Sequence, residues 1–193
     1  VPSDTWRMGI GQFQAASPLQ MAVIAAYVAN GGYIVRPHLV SPPGGPERER
    51  MAINPAAMAD VRRAMEAVTS AGGTARKLVL SGHAAGIKVA AKTGTAEWGT
   101  RASRAAGGTP DHAWLIGYAP ADQPEVAFAI FVHSGTSGGR ACSGVAKRLL
   151  EVWFQHQIDT PRPPGWKPAE PVDARPFGEP APAPEPGPVD PRG

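Results

Sequence analysis

Lys92-Thr93-Gly94-Thr95 sets one cation, two hydroxyls and an uncovered backbone within four consecutive residues. Upstream, Ile87, Val89 and Ala91 alternate with Lys88, Ala90 and Lys92, the period-two pattern of a strand with one buried face. Carried forward, the alternation puts Thr93 and Thr95 on one face and Lys92 on the other, with Gly94 leaving the backbone bare between the hydroxyls. Such an edge suits an anionic, peptide-like ligand, whose main chain adds as a strand while the hydroxyls hold its carboxylate. The same residues admit two other readings. Gly86 to Thr93 is one residue from a phosphate-cradling loop, but Ala91 stands where that loop needs its second Gly, and Gly94 follows where a helix should open. A bare surface strand with a solvated Lys is the other.

Few other residues offer chemistry. Cys142 is the single cysteine, so no internal disulfide forms, and it reads as a small buried hydrophobe. The five His are far apart and none makes a metal-ligand spacing, so neither metal nor cofactor is expected. Glu97 reads as a solvated loop acid and His112 as a structural residue at the start of its strand. The net charge of +3 is mild and scattered, which does not favour nucleic acid. The longest apolar run, Met21 to Ala29, is too short to span a bilayer. Val1-Pro2-Ser3-Asp4 has neither an initiator Met nor a targeting segment, so the chain is expected to be the carboxyl part of something longer.

The elements that must position Lys92 to Thr95 follow from pattern. Ser17 caps and Pro18 opens a helix to about Ala29, apolar nearly all round and so expected to be buried, ending at Asn30-Gly31-Gly32. Tyr33 to Val35 is a short extended piece, and Ser41 to Arg50 a surface loop. Asn54 and Pro55 start a second helix whose stripe is Met58, Val61, Met65 and Val68, with the Met pair as core filler. Thr74 to Leu78 is expected as a further short helix capped by Thr74. Trp98 to Pro110 has no period and reads as a mobile loop beside the site. His112 to Tyr118 and Glu125 to His133 are strands joined by a hairpin connection. Three successive strands with no helix between them imply an antiparallel sheet. Ser134 to Gly139 reads as a flexible turn, and Val145, Leu149, Val152 and Trp153 mark an amphipathic helix from about Ser143 to Gln157. Residues 160 to 193 contain 12 Pro and almost no apolar period, the composition of an extended or disordered tail. The domain expectation is therefore a folded unit over 1–159 and a Pro-rich tail over 160–193.

Gly9-Ile10-Gly11-Gln12, Ser17-Pro18-Leu19-Gln20-Met21-Ala22 with Ala29-Asn30-Gly31-Gly32, Lys92-Thr93-Gly94-Thr95-Ala96, and Asp111-His112-Ala113-Trp114 leading to Gly117-Tyr118-Ala119-Pro120 occur in that order. Together they resemble the carboxyl half of the transpeptidase domain of a penicillin-binding protein of the monofunctional class B type, over roughly residues 5 to 157. The resemblance implies an α/β (α+β) fold: a mainly antiparallel sheet flanked by helices, shared with the serine β-lactamases. It implies acyl transfer, in which a Ser attacks a peptidoglycan stem peptide, D-Ala leaves, and an amine or water resolves the acyl-enzyme; β-lactams are trapped by the same Ser.

Of the three motifs that serve such a site, only Lys-Thr-Gly is present. No Ser has Lys three residues on or Asn two residues on. The resemblance therefore implies that the nucleophile and the Ser-x-Asn motif lie upstream, and that this chain alone is inactive. It assigns Lys92 a positive charge near the middle-motif Ser, and the Thr93 and Thr95 hydroxyls, across Gly94, the substrate carboxylate. The Thr95 N–H would complete the oxyanion hole, worth about 3 kcal/mol per donor. The implied partners are the upstream part, stem peptide and β-lactams, with membrane contact only through a missing amino-terminal anchor, on the outer face of the bacterial cytoplasmic membrane. An exposed sheet edge and unpartnered helix faces are expected for a half-domain. A non-catalytic module of the same fold and a D,D-carboxypeptidase remain as alternatives.

Overall fold

Ser17 stops the chain and turns it into the first helix. Its hydroxyl accepts from the Gln20 N–H at 3.2 Å while the Gln20 side chain accepts from the Ser17 N–H at 2.8 Å, a reciprocal capping box with Pro18 in the first turn. This helix, α1, spans Pro18–Ala29. In the computed structural model, residues 9, 11–12, 14–40, 48–98, 107 and 111–160 are described; the Pro-rich stretch from 161 onward and most of the 99–110 segment lie outside them. Only Ala25 and Ala29 of α1 are buried, and Leu19 and Ile24 face outward, so the expectation of a helix buried all round is corrected. Its apolar residues encircle the axis, and the described chain covers one side.

Asn30 ends α1 and brackets Tyr33, donating to its carbonyl and accepting from its N–H, both at 2.8 Å. Strand β1, Tyr33–Val35, then pairs antiparallel with β2, Arg48–Arg50. This corrects the reading of Ser41 to Arg50 as a loop at its last three residues; 41–47 lie outside the described residues. Arg-Glu-Arg carries no strand signal of its own. Main-chain pairing forms the strand, and the Arg48 guanidinium lies 5.1 Å from the Tyr33 ring centroid, within cation–π range.

Helix α2, Pro55–Thr69, is capped by the Asn54 side chain, which accepts from the Ala56 N–H at 2.9 Å. Met58 and Met65 are buried and Val68 packs against the core, whereas Val61 is exposed. Residues 71–77 are turns, so the helix expected from Thr74 does not form. A single 3-10 turn, Gly82–Ala84, precedes the main sheet.

That sheet has the order β3-β4-β5, with β3 Ala90–Ala96, β4 His112–Ala119 and β5 Val126–Val132, all antiparallel as the connections imply. The register opposes Thr93 to Leu115, Thr95 to Ala113, and Leu115 to Ile130, which puts these residues on one face. Helix α3, Gly138–Asp159, covers that face with Cys142, Ala146, Leu150 and Phe154. The opposite face is closed by α1 and α2, where Ala29 and Met65 meet Ala90 and Tyr118. The result is a sheet between two helix layers.

Two expectations for α3 are corrected. It begins five residues before Ser143, because Gly138 and Gly139 form its first turn rather than a flexible connection. Its inward stripe is Cys142, Ala146, Leu150 and Phe154, and Val145, Leu149 and Val152 are exposed. No helix among the described residues is long and apolar enough to cross a membrane.

Candidate functional site

Strand β3 is the outermost strand of its sheet, with β4 on one side and no strand on the other among the described residues. Its outward carbonyls are identified by what reaches them. Just before the strand, Val89 O accepts from Thr69 Oγ1 at 2.6 Å; within it, Thr93 O accepts from Lys92 Nζ at 2.6 Å and Thr95 O from Gln12 Nε2 at 3.2 Å. In an antiparallel strand the N–H and C=O of one residue point to the same side, so Thr93 and Thr95 also direct their N–H groups to the open edge. The strand runs unbroken through Lys92 and Thr93 with no helix opening there, which removes the phosphate-loop reading.

The four predicted residues are gathered on this margin. Lys92 and Thr95 are exposed and Thr93 is half-buried, so neither hydroxyl is lost in the interior. Thr93 Oγ1 lies 2.9 Å from Thr74 Oγ1. A Cβ at Gly94 would stand 3.1 Å from Trp114 Cβ, so the absence of a side chain lets the strand lie close on β4.

Helix α3 starts directly against this end of the sheet. A Cβ at Gly138 would fall 2.1 Å from Trp114 O and 2.6 Å from Gly94 O; one at Gly139 would fall 2.0 Å from Thr74 O. Only glycine permits this approach, and it brings the positive end of the helix against the Thr74 carbonyl and the Thr93 methyl group. That placement favours a negative group at the margin.

Beyond the strand, Trp98 stacks on His112 at 4.8 Å and 15°, and His112 Nδ1 accepts from the Ser134 N–H at 3.2 Å. His133 packs at 4.6 Å from the same ring. His112 thus ties the ends of β4 and β5 together, consistent with the structural role read from the sequence. Cys142 is fully buried, and burial pushes its thiol pKa up, which is unsuited to a nucleophile. No group of three or more His, Cys, Asp or Glu that could hold a metal occurs among the described residues. An apolar cleft of about 550 Å³ continues along the open side between the end of α2 and the strand entry, lined by Thr69, Leu78, Leu80, Ile87 and Val89.

Two residues of the margin were not assigned to it by the sequence. Thr74 reads as a helix cap, yet its hydroxyl meets Thr93; the preceding Gly72-Gly73, which stops α2 short of it, was the available signal. Gln12 lies 83 positions from Thr95, and its contact has no local signature.

Comparison with known proteins agrees with this geometry. The family model described as the penicillin binding protein transpeptidase domain matches residues 1–151. The peptidoglycan D,D-transpeptidase PbpA of Mycolicibacterium smegmatis is 41% identical over 160 residues, covering 73% of this chain and 30% of that relative. Pseudomonas aeruginosa PBP2, solved in complex with WCK 5153, superposes with a TM-score of 0.66 at 31% identity, over 87% of this chain and 36% of that one. Penicillin-binding protein A of M. tuberculosis, solved as an imipenem acyl-enzyme complex, gives a TM-score of 0.58 at 33% identity, over 74% of this chain and 32% of that one. The chain therefore spans about a third of the length of the proteins it matches. With a matching family model, similar relatives and a shared sheet with its flanking helices, the chain belongs to the penicillin-binding protein transpeptidase domain family.

Proposed function

We propose that this chain forms the substrate-holding margin of a peptidoglycan D,D-transpeptidase whose serine nucleophile and second motif are supplied by an upstream part. The observation that carries the reading is the open side of β3, where the Thr93 and Thr95 hydroxyls and outward main-chain groups lie beside Lys92. A stem peptide adds along this edge, its carboxylate taken by the two hydroxyls, and the same places receive a β-lactam. Lys92 supplies positive charge near the middle-motif Ser, and Gly94 keeps the backbone within reach of the ligand.

The upstream serine Oγ attacks the penultimate D-Ala carbonyl, and the charge that develops on the carbonyl oxygen meets the Thr95 N–H. The tetrahedral species collapses with loss of D-Ala, which takes up a proton as its amine departs. An amine on a second strand then releases the acyl group and frees the serine. The setting that follows is the outer face of the bacterial cytoplasmic membrane, with the anchor in the upstream part.

The test is acylation by a fluorescent penicillin. The 193-residue chain alone should not label, and a longer protein carrying the upstream part should, with the adduct outside residues 1–193. An adduct within this chain, or no adduct on the longer protein, would overturn the reading.

A further inference from the structure

We propose that Gln12 is a positioning residue for the substrate-holding edge: its side-chain amide anchors the Thr95 carbonyl and so keeps the end of β3 aligned. The inference rests on the transpeptidase reading above, and assigns a task to the Gly9–Gln12 segment that the mechanism leaves unused.

Thr95 lies near the end of β3, one residue after Gly94, and its outer side faces no strand among the described residues. A strand end in that situation frays, since only one side of its backbone is paired. Gln12 Nε2 donates to Thr95 O at 3.2 Å from a segment 83 residues away. The turn that delivers it depends on Gly11, whose φ of +83° is left-handed backbone. A Cβ there would meet nothing within 4 Å, so the glycine serves conformation and not space.

A neutral amide suits the task. A carbonyl oxygen has two lone pairs, so one bond from Gln12 leaves the other for an N–H of the bound peptide. The Thr95 N–H and C=O point to the same side, so holding the carbonyl limits how far the residue turns its N–H away from the developing oxyanion. An anchor of this kind acts on the chemical step more than on binding.

The test uses the longer protein with its upstream part, as wild type, Gln12→Met and Gln12→Glu; both replacements keep the side-chain length and delete the donor. With a fluorescent penicillin, the acylation rate constant at saturation should fall roughly 5- to 10-fold in both, the loss of one hydrogen bond, with the half-saturating concentration within about twofold. Amide hydrogen exchange at Gly94 and Ala96, paired with β4, should accelerate by about the same factor, while that of β5 stays unchanged. A rate constant that is unchanged or raised in the Met variant, or unchanged exchange at Gly94 and Ala96, would overturn the anchoring role. Absence of labelling in the wild type would instead overturn the transpeptidase reading, and the exchange measurement would still decide the role of Gln12.

Discussion

The hydroxyls of Thr74 and Thr93 meet at 2.9 Å, joining the turn after α2 to the middle of the open strand. The bond fixes the rotamer of a side chain that the transpeptidase reading assigns to a carboxylate. Thr74→Val keeps the shape and deletes the hydroxyl. It should cost about 0.5–1.5 kcal/mol of stability, as for a typical intramolecular hydrogen bond. In the longer protein it should also slow penicillin acylation several-fold, because Thr93 is then free to rotate. Thermal unfolding and labelling kinetics check the two effects; unaltered labelling would show that Thr93 needs no such support.

Gly139→Ala should be among the most damaging single-methyl additions in the chain. The new Cβ would stand 2.0 Å from Thr74 O, a backbone atom that cannot swing aside as a side chain would. Overpacking of this kind costs about 1–3 kcal/mol. Gly144→Ala is the control, since its Cβ would meet nothing within 4 Å and alanine favours the helix interior. Denaturant unfolding should rank them clearly, with Gly144→Ala equal to or above the wild type.

Glu151 connects α3 to the segment before β3. Its carboxylate accepts from the Ser81 hydroxyl at 2.6 Å and from the Ser81 N–H at 2.9 Å, and these bonds lower its pKa, with Lys147 adding to the effect. A carboxyl with a lowered folded pKa contributes its full stabilisation above its unfolded pKa and loses it as pH falls through the folded value. Ser81→Ala should therefore raise the Glu151 pKa toward the ordinary carboxylate range, read by carboxyl NMR titration. The stability difference between wild type and variant should shrink as the solution is acidified. A Glu151 titration that ignores the substitution would contradict the assignment.

Cys142 should resist thiol reagents in the native protein. It is fully buried on the inward face of α3, and burial raises its thiol pKa, so access and thiolate fraction are both low. Alkylation should appear only with unfolding, in step with the loss of helical signal. Rapid modification of the folded chain would mean that α3 opens locally.

The sheet, and the placement of Lys92 to Thr95 on its open strand, were legible because they rest on alternation and local chemistry. The periods read at 112–118 and 125–133 locate β4 and β5, and Lys92 to Thr95 announce an edge by composition alone. What stayed hidden depends on close approach. In α3 the apolar residues Val145, Leu149 and Val152 draw attention, yet the helix packs through Gly138, Gly139, Cys142 and Ala146 in its first half, whose small size admits the sheet, and through Leu150 and Phe154 in its second. Smallness, which an apolar period does not register, decides which side of the first half faces the sheet. Arg48 to Arg50 form a strand by pairing with a partner that no local pattern names. Thr74 and Gln12 join the margin across 19 and 83 residues, and single-sequence spacing does not encode such contacts.

The central claim, that a ligand carboxylate docks on the Thr93 and Thr95 hydroxyls, is tested most directly by comparing a penicillin with its methyl ester on the longer protein. In Thr93→Val/Thr95→Val, acylation by the acid should slow by roughly 100-fold, the scale of two lost bonds to a charged group at about 1.5–3 kcal/mol each, reduced by residual binding. The ester, already slow on the wild type, should be nearly insensitive to the substitutions. Equal losses for acid and ester, or an acid that acylates the variant at the wild-type rate, would contradict the account.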